Sequence, residues 1–394
     1  MVAVAQLAEH WTVAPVVAGS SPVSHPHRSQ SSAVLERAGA TGFQECNAWS
    51  LLPEDLELAG TGTSGTRLFS ELQRPWLWQD GRPALSTRSA RALAGLGLEL
   101  PRVSARRASS DGSHKLLLTV PHRTTSIEAI HMPRPVRGGR VTLCISSQAG
   151  CALGCAFCAT AGLGLERHLS AGELVAQVLV CLRELGPRHP GELTLVFMGM
   201  GEPLHNFANV MRAVAVLTHP RGLGLSPRRI SVSTAGLVPQ IDLLANAEPR
   251  PLLAVSVNAT TNAVRDSLMP INRRYPLEAL RAALERYPCR ARERITVEYV
   301  LLAGVNDTPD DARRLAAFTG GFPHQINLIP FNGHPGSPFR APDEPALDAF
   351  VQALLGERPA IVTVRRSRGQ DIDAACGQLA RRQAPAVATP AGAL

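Results

Sequence analysis

The chain has 394 residues, of which 45% are hydrophobic and 18% charged, the composition of a globular protein long enough to bury a full core. No apolar run approaches the roughly 20 residues that span a bilayer, and the N-terminus lacks a basic region followed by an apolar stretch; a membrane protein is excluded, export is disfavoured and a cytoplasmic location is expected. The net charge of +8 suits a polyanionic partner, but Lys115 is the sole lysine beside 39 arginines, a bias that GC-rich coding also produces, so charge alone leaves nucleic-acid binding open.

In chain order, residues 1–47 show no sustained helical or strand period and read as disordered. Their opening, AQLAEHWTVAPVVAGSSPVSHP, resembles peptides that arise by translation through a bacterial tRNA gene, which implies a start codon set too far upstream. Residues 48–104 turn amphipathic, with LLPEDLELAG, TRLFSELQRPWLW and TRSARALAGLGLEL as short helices of a small helical accessory domain. Between Arg102 and Met132, KLLLTVPH and TSIEAIHM alternate in a way that predicts a β-hairpin built around the turn formers SSDGS.

Beyond it, strand-like runs recur at VTLCIS, LTLVFMG, RISVSTAG, LLAVSVNA, ITVEYVLLAG, QINLIPF and AIVTVRR, with helical segments between almost every pair. SAGELVAQVLVCLREL opens with a capping box of Ser170 and Glu173, and DTPDDARRLAAF places Thr308 before Pro309 with two aspartates in the first turn. Near-continuous apolar strands alternating with amphipathic helices predict an α/β fold with a parallel sheet, either doubly wound or curved into a barrel, whose active residues lie at the C-terminal strand ends. Residues 105–380 form this core, and 381–394 read as a disordered tail.

Three of the eight cysteines, Cys151, Cys155 and Cys158, form C-x3-C-x2-C directly after the first strand of the regular region. Three thiolates crowded into a short loop can each ligate one iron of a 4Fe-4S cluster, and the small neighbours Gly150, Ala152, Gly154, Ala156 and Ala159 let the backbone wrap it. A structural zinc site would want four closed ligands in two pairs, and no second pair follows at a suitable distance. With three protein ligands the fourth iron is open to the amino and carboxylate groups of S-adenosylmethionine, whose reductive cleavage is cofactor chemistry that the protein positions.

This spacing, with Phe157 before the last cysteine, resembles the radical S-adenosylmethionine (SAM) superfamily, which implies a partial (β/α)6 barrel. The ordered segments LCISSQAGC, MGMGEPL, STAG, MPINRRYPLEAL, EYVLLAGVND, NLIPFN and DIDAACGQLA resemble the RlmN/Cfr family of RNA methyltransferases over roughly residues 105–380. The resemblance implies methylation of an sp2 ring carbon of adenine: Cys376 takes a methyl group from one SAM, its methyl loses hydrogen to the radical generated from a second, and the methylene adds to the base. Glu128 matches the family's proton acceptor. Cys144 matches the thiol that releases the product by forming a Cys144–Cys376 disulfide.

By the same resemblance Gly201, Glu202, Ser233, Ser256, Val257, Asn258 and Asn332 contact SAM; the family usually has histidine where this chain has Asn258. The implied substrates are 23S rRNA, at carbon 2 of an adenine, and the adenine 3′ to the anticodon of some tRNAs, with an external electron donor such as flavodoxin and a monomeric enzyme. Methylation at carbon 8, as in the Cfr branch, and a non-catalytic RNA-binding relative are the rival readings. RNA contact is expected from arginines beside the barrel mouth and from the small N-terminal domain. Cys46, Cys181 and Cys289 match no motif, and Cys181 falls on an apolar helix face as a core residue.

Overall fold

The computed structural model describes residues 47–58, 64–73, 83, 85–94, 96–121, 125–133, 139–185, 192–357 and 361–365. Residues 1–46 and 381–394 of the predicted disordered ends, with Cys46, and also Cys376 lie outside the described residues, whereas Asn47 is described, its Oδ1 accepting from the Trp49 amide at 2.9 Å.

Three short helices come first, α1 (Pro53–Leu58), α2 (Gly65–Leu72) and α3 (Thr87–Ala92). Their apolar side chains, including Leu56, Leu68 and Phe69, join Trp49 in the same core cluster as the sheet rather than in a separate one. Arg212, from a helix of the main body, fastens α1 by an ion pair to buried Asp55 and by a hydrogen bond to the Ser50 carbonyl at 2.8 Å.

Next come β1 (Arg102–Ala108), β2 (His114–Thr119) and β3 (Ser126–Pro133), all antiparallel. The predicted hairpin turn SSDGS does reverse the chain, but it joins β1 to β2, and KLLLTV and SIEAIHM are the second and third strands of the ribbon. In the turn, Ser109 and Asp111 bond backbone amides, and Gly112 takes the positive φ of 79° that favours glycine. Strand β3 then pairs antiparallel with β4 (Val141–Cys144), so the ribbon extends the main sheet.

After β4 a separate two-stranded piece, β5 (Gln148–Gly150) with β6 (Leu165–His168), brackets the cysteine segment. Then follow α4 (Ala171–Leu185), β7 (Leu193–Phe197), α5 (Phe207–Thr218), β8 (Ile230–Thr234), α6 (Val238–Ala245), β9 (Leu252–Ser256), α7 (Asn262–Leu268), α8 (Leu277–Glu285), β10 (Ile295–Leu301), α9 (Pro309–Thr319), β11 (His324–Pro330), α10 (Glu344–Glu357) and β12 (Val362–Val364). All seven strand runs anticipated from sequence are present. Both expected helix starts are capped: Ser170 and Glu173 bond each other's amides at 3.2 and 2.7 Å, and Thr308 and Asp311 form a second capping box.

The sheet order is β1-β2-β3-β4-β7-β8-β9-β10-β11-β12, with every junction from β4 to β12 parallel. Parallel neighbours therefore follow one another in chain order with no reversal. A doubly wound sheet reverses at a switch point, whereas a barrel winds one way, so the order selects the barrel. Among the described residues β1 and β12 are not paired with each other, so the barrel is partial.

Candidate active site

The C-terminal ends of the parallel strands open onto a cavity of about 390 Å³. Ten of the residues singled out from sequence line it: Cys144, Cys151, Cys155, Cys158, Gly201, Glu202, Ser233, Ser256, Asn258 and Asn332. Residues far apart in sequence meet here because they sit at or just past the ends of several strands, as βα loops of a barrel do.

The cysteine loop is held from three sides. At its base the Cys151 amide donates to the Gly164 carbonyl at 2.7 Å, closing the β5–β6 strap. Gly150 there has φ +75°, and a Cβ would lie 1.8 Å from that carbonyl oxygen, so no other residue fits. Further on, the Ala156 amide donates to the Leu268 carbonyl at 2.9 Å, and Leu153, Cys155 and Phe157 pack on the cluster containing Leu268 and Met269. Burial pushes the Cys151 thiol up to about 12 and raises Cys155 further. Thiols so desolvated need a cation to ionise.

Among the described residues no three His, Cys, Asp or Glu converge on a single ion. Three thiols in one short loop fit an iron–sulfur cubane with one open iron better than a structural zinc site, which takes four ligands. The donor set thus fits the cluster that the spacing implies.

Gly201 and Glu202 follow β7. Gly201 has φ +99°, and a Cβ would stand 2.5 Å from Cβ of Gln148. Glu202 accepts hydrogen bonds from the amides of Leu204 at 3.0 Å and Ala235 at 2.8 Å, which tie β7 to β8. Burial nevertheless lifts its carboxyl to about 7. Its own amide donates to Oε1 of Gln148 at 2.7 Å, while Nε2 of that amide faces Nδ1 of His168 at 2.9 Å and of His205 at 3.4 Å.

Asn258 has φ +55°, a left-handed conformation that asparagine tolerates well. Its Oδ1 accepts from the Val300 amide at 2.8 Å, and its carbonyl accepts from Asn306 at 2.7 Å. The side chain that replaces the family's histidine therefore ties β9 to β10. Val257, by contrast, does not line the cavity: its side chain is in the core, its amide donates to Glu298 and its carbonyl accepts from Arg265, both at 3.0 Å.

Cys144 ends β4 almost buried, packed with Ile130, Val196, Met132 and Met198 at one side of the cavity. Glu128 is not a lining residue. It lies on the same face of β3 as Ile130 and Met132, which do line the cavity, and its Oε2 is 2.8 Å from Nζ of Lys115.

Two polar residues escaped the sequence reading. Glu298, a buried carboxylate in the cavity wall, accepts from Ser233 Oγ at 2.7 Å and lies 4.0 Å from Arg365. A lone acid inside ITVEYVLL was the available signal, since apolar strands rarely bury an acid without a purpose. Arg265 is fully buried and donates to the carbonyls of Ala235 at 2.7 Å, Ser256 at 3.1 Å and Val257 at 3.0 Å, so one guanidinium binds the ends of β8 and β9; burial lowers it to about 10.

Residues 145–316 match the model of the Radical SAM superfamily. The dual-specificity RNA methyltransferases RlmN of Syntrophobacter fumaroxidans and Anaeromyxobacter sp. are 50% and 46% identical to the chain, over 72% and 82% of its length and 81% and 87% of theirs. The chain belongs to the RlmN family. A radical SAM methyltransferase from Sphaerobacter thermophilus superposes with a TM-score of 0.76 at 38% identity, over 84% of this chain and 98% of that one. The family's radical SAM fold and its two cofactors, a 4Fe-4S cluster and SAM, follow from membership, in agreement with the parallel barrel and the three thiols.

Proposed function

We propose that the chain methylates carbon 2 of an adenine in 23S rRNA and of the adenine 3′ to the anticodon in some tRNAs, working in the cytoplasm as a monomer with an external electron donor. The relatives' name supports an RNA substrate, and among the described residues no helix is long and apolar enough to cross a membrane. One observation carries the reading: the three loop thiols, Cys144 and the polar strand ends open onto one cavity, so a separate thiol stands in the same site as the thiols that would hold the cluster.

In this reading Cys151, Cys155 and Cys158 hold the cluster, which when bound supplies the electron that cleaves SAM. Glu202, its carboxyl charged by an arriving ammonium, and the Gly201 backbone receive the SAM amino group; Ser233, Ser256, Asn258 and Asn332 line its remaining path, with Val257 supporting them from the core. Cys376 carries the methyl to the base, Glu128 accepts the ring proton, and Cys144 attacks the Cys376 sulfur to free the product as a disulfide forms.

The test is Cys144→Ala. Reconstituted with RNA and SAM, it should accumulate a covalent protein–RNA species that nuclease shortens on a denaturing gel, and the wild type should yield 2-methyladenosine on digestion. Normal turnover of the variant would remove Cys144 from the reaction, and 8-methyladenosine would move the chain to the other branch.

A further inference from the structure

The chain writes 39 of its 40 basic residues as arginine and keeps a single lysine, Lys115. The two cations differ where protein encloses them, lysine as a compact point charge and arginine as a planar fork. Lys115 is at no surface at all. Its side chain is fully buried on β2, with Nζ 2.8 Å from Oε2 of Glu128, itself 2% exposed. The register sets Lys115 opposite Ile130 and Leu117 opposite Glu128, so the ion pair runs diagonally across two strands. It lies on the face of β3 whose next residues, Ile130 and Met132, line the cavity.

Burying two charges is seldom a net gain for a fold, because desolvation consumes much of their attraction; an apolar pair of similar volume serves as well or better. The pair therefore calls for a reason other than stability. A carboxyl at this depth with no counter-charge prefers its protonated form, in which it can no longer accept a proton. An ammonium 2.8 Å away supplies that counter-charge.

We propose that Lys115 is the positioning residue of Glu128, holding it as a carboxylate beneath the cavity wall. The ammonium touches no substrate. This inference rests on the reading of Glu128 as proton acceptor.

Anaerobically reconstituted Lys115→Met, Glu128→Gln and the double variant are compared with wild type in the presence of RNA. Lys115→Met should still methylate Cys376, seen by mass spectrometry, yet form free product about 100-fold more slowly per methylated enzyme, the size of a lost general base. The covalent RNA adduct should build up as it does in Glu128→Gln, and the double variant should be no slower than Glu128→Gln alone. Infrared difference spectra of the cluster-free proteins should show a buried protonated carboxyl in Lys115→Met that vanishes in the double variant. A merely structural lysine would lower all steps together and leave the adduct-to-product ratio and the carboxyl band unchanged, and that result overturns the proposal. If Lys115→Met does not fold, Lys115→Arg, which keeps the charge and misplaces it, takes its place: adduct accumulation supports the proposal and a wild-type ratio overturns it. Normal turnover of Glu128→Gln would instead strike down the proton-acceptor reading itself.

Discussion

With no cofactor bound, Glu202 makes a pH-dependent demand on the fold. Burial raises its carboxyl from the ordinary 4.5 to about 7, so the folded protein holds this proton where the unfolded chain has released it. The contribution is fully present below pH 4.5 and is lost as pH rises toward 7; at about 1.4 kcal/mol per pH unit, ionisation costs the apoprotein about 3 kcal/mol. Glu202→Gln keeps the shape and removes the titration. Urea unfolding of the cluster-free protein at pH 5 and pH 8 should therefore show the stability difference between wild type and variant moving by about 2 to 3 kcal/mol in favour of the variant at pH 8. His168 and His205, both lowered by burial, add stability as pH rises through the ordinary histidine range, but they are common to both proteins and cancel in the comparison. Cys151, near 12, remains a thiol throughout. A difference that stays constant across this range would refute the placement of Glu202 as a desolvated acid waiting for a cationic ligand.

Replacing Cys151, Cys155 and Cys158 together by Ala should abolish the brown colour and the expected iron content of about four per chain, measured by absorbance and iron assay. Gly201→Ala forces a Cβ into Gln148 at 2.5 Å in a left-handed backbone and should cost at least about 2 kcal/mol by urea unfolding, with loss of SAM binding by calorimetry. Asn306→Ala removes bonds to the Asn258 and Val300 carbonyls, at 2.7 and 2.8 Å, and from the Leu302 amide at 2.7 Å. At about 1 kcal/mol or more for each buried group left unpaired, it should cost about 3 kcal/mol in the same unfolding assay.

The barrel was legible because parallel strands covered on both faces must be written as apolar runs, and seven such runs punctuated by capped helices leave few alternatives. Barrel and doubly wound sheet differ only in strand order, which no local pattern encodes. Strand β1 was missed because RVSARRA alternates exposed and half-buried residues, with only Val103 and Ala105 to mark its apolar face. The strap β5–β6 was missed because three- and four-residue strands carry almost no period. At the site, chemically distinctive residues were visible in the text: thiols at fixed spacing and a glycine beside an acid at a strand end. Arg265 was hidden among the other arginines, since what distinguishes it is burial, a property of the assembled fold; Glu298, a lone acid in an apolar strand, and Lys115, the sole lysine, stood out in sequence, but their roles needed that burial to be seen. Val257 shows the converse, a residue matched by its neighbours' motif whose amide is engaged by the neighbouring strand and whose carbonyl is taken by Arg265 of α7.

The carboxamide of Gln148 fixes more than the Glu202 amide. A backbone N–H can only donate, so the atom facing Glu202 must be the amide oxygen, and Nε2 must give its hydrogens to the histidines. Nδ1 of both His168 and His205 is then an acceptor, and each neutral ring carries its proton on Nε2. A proton arriving at either Nδ1 would set N–H against N–H and push the amide away from Glu202. His168 belongs to β6, the strand that closes the thiol loop, and His205 follows β7, so an acid-sensitive joint of one amide and two imidazoles links the strap beneath the three cysteines to the loop after β7.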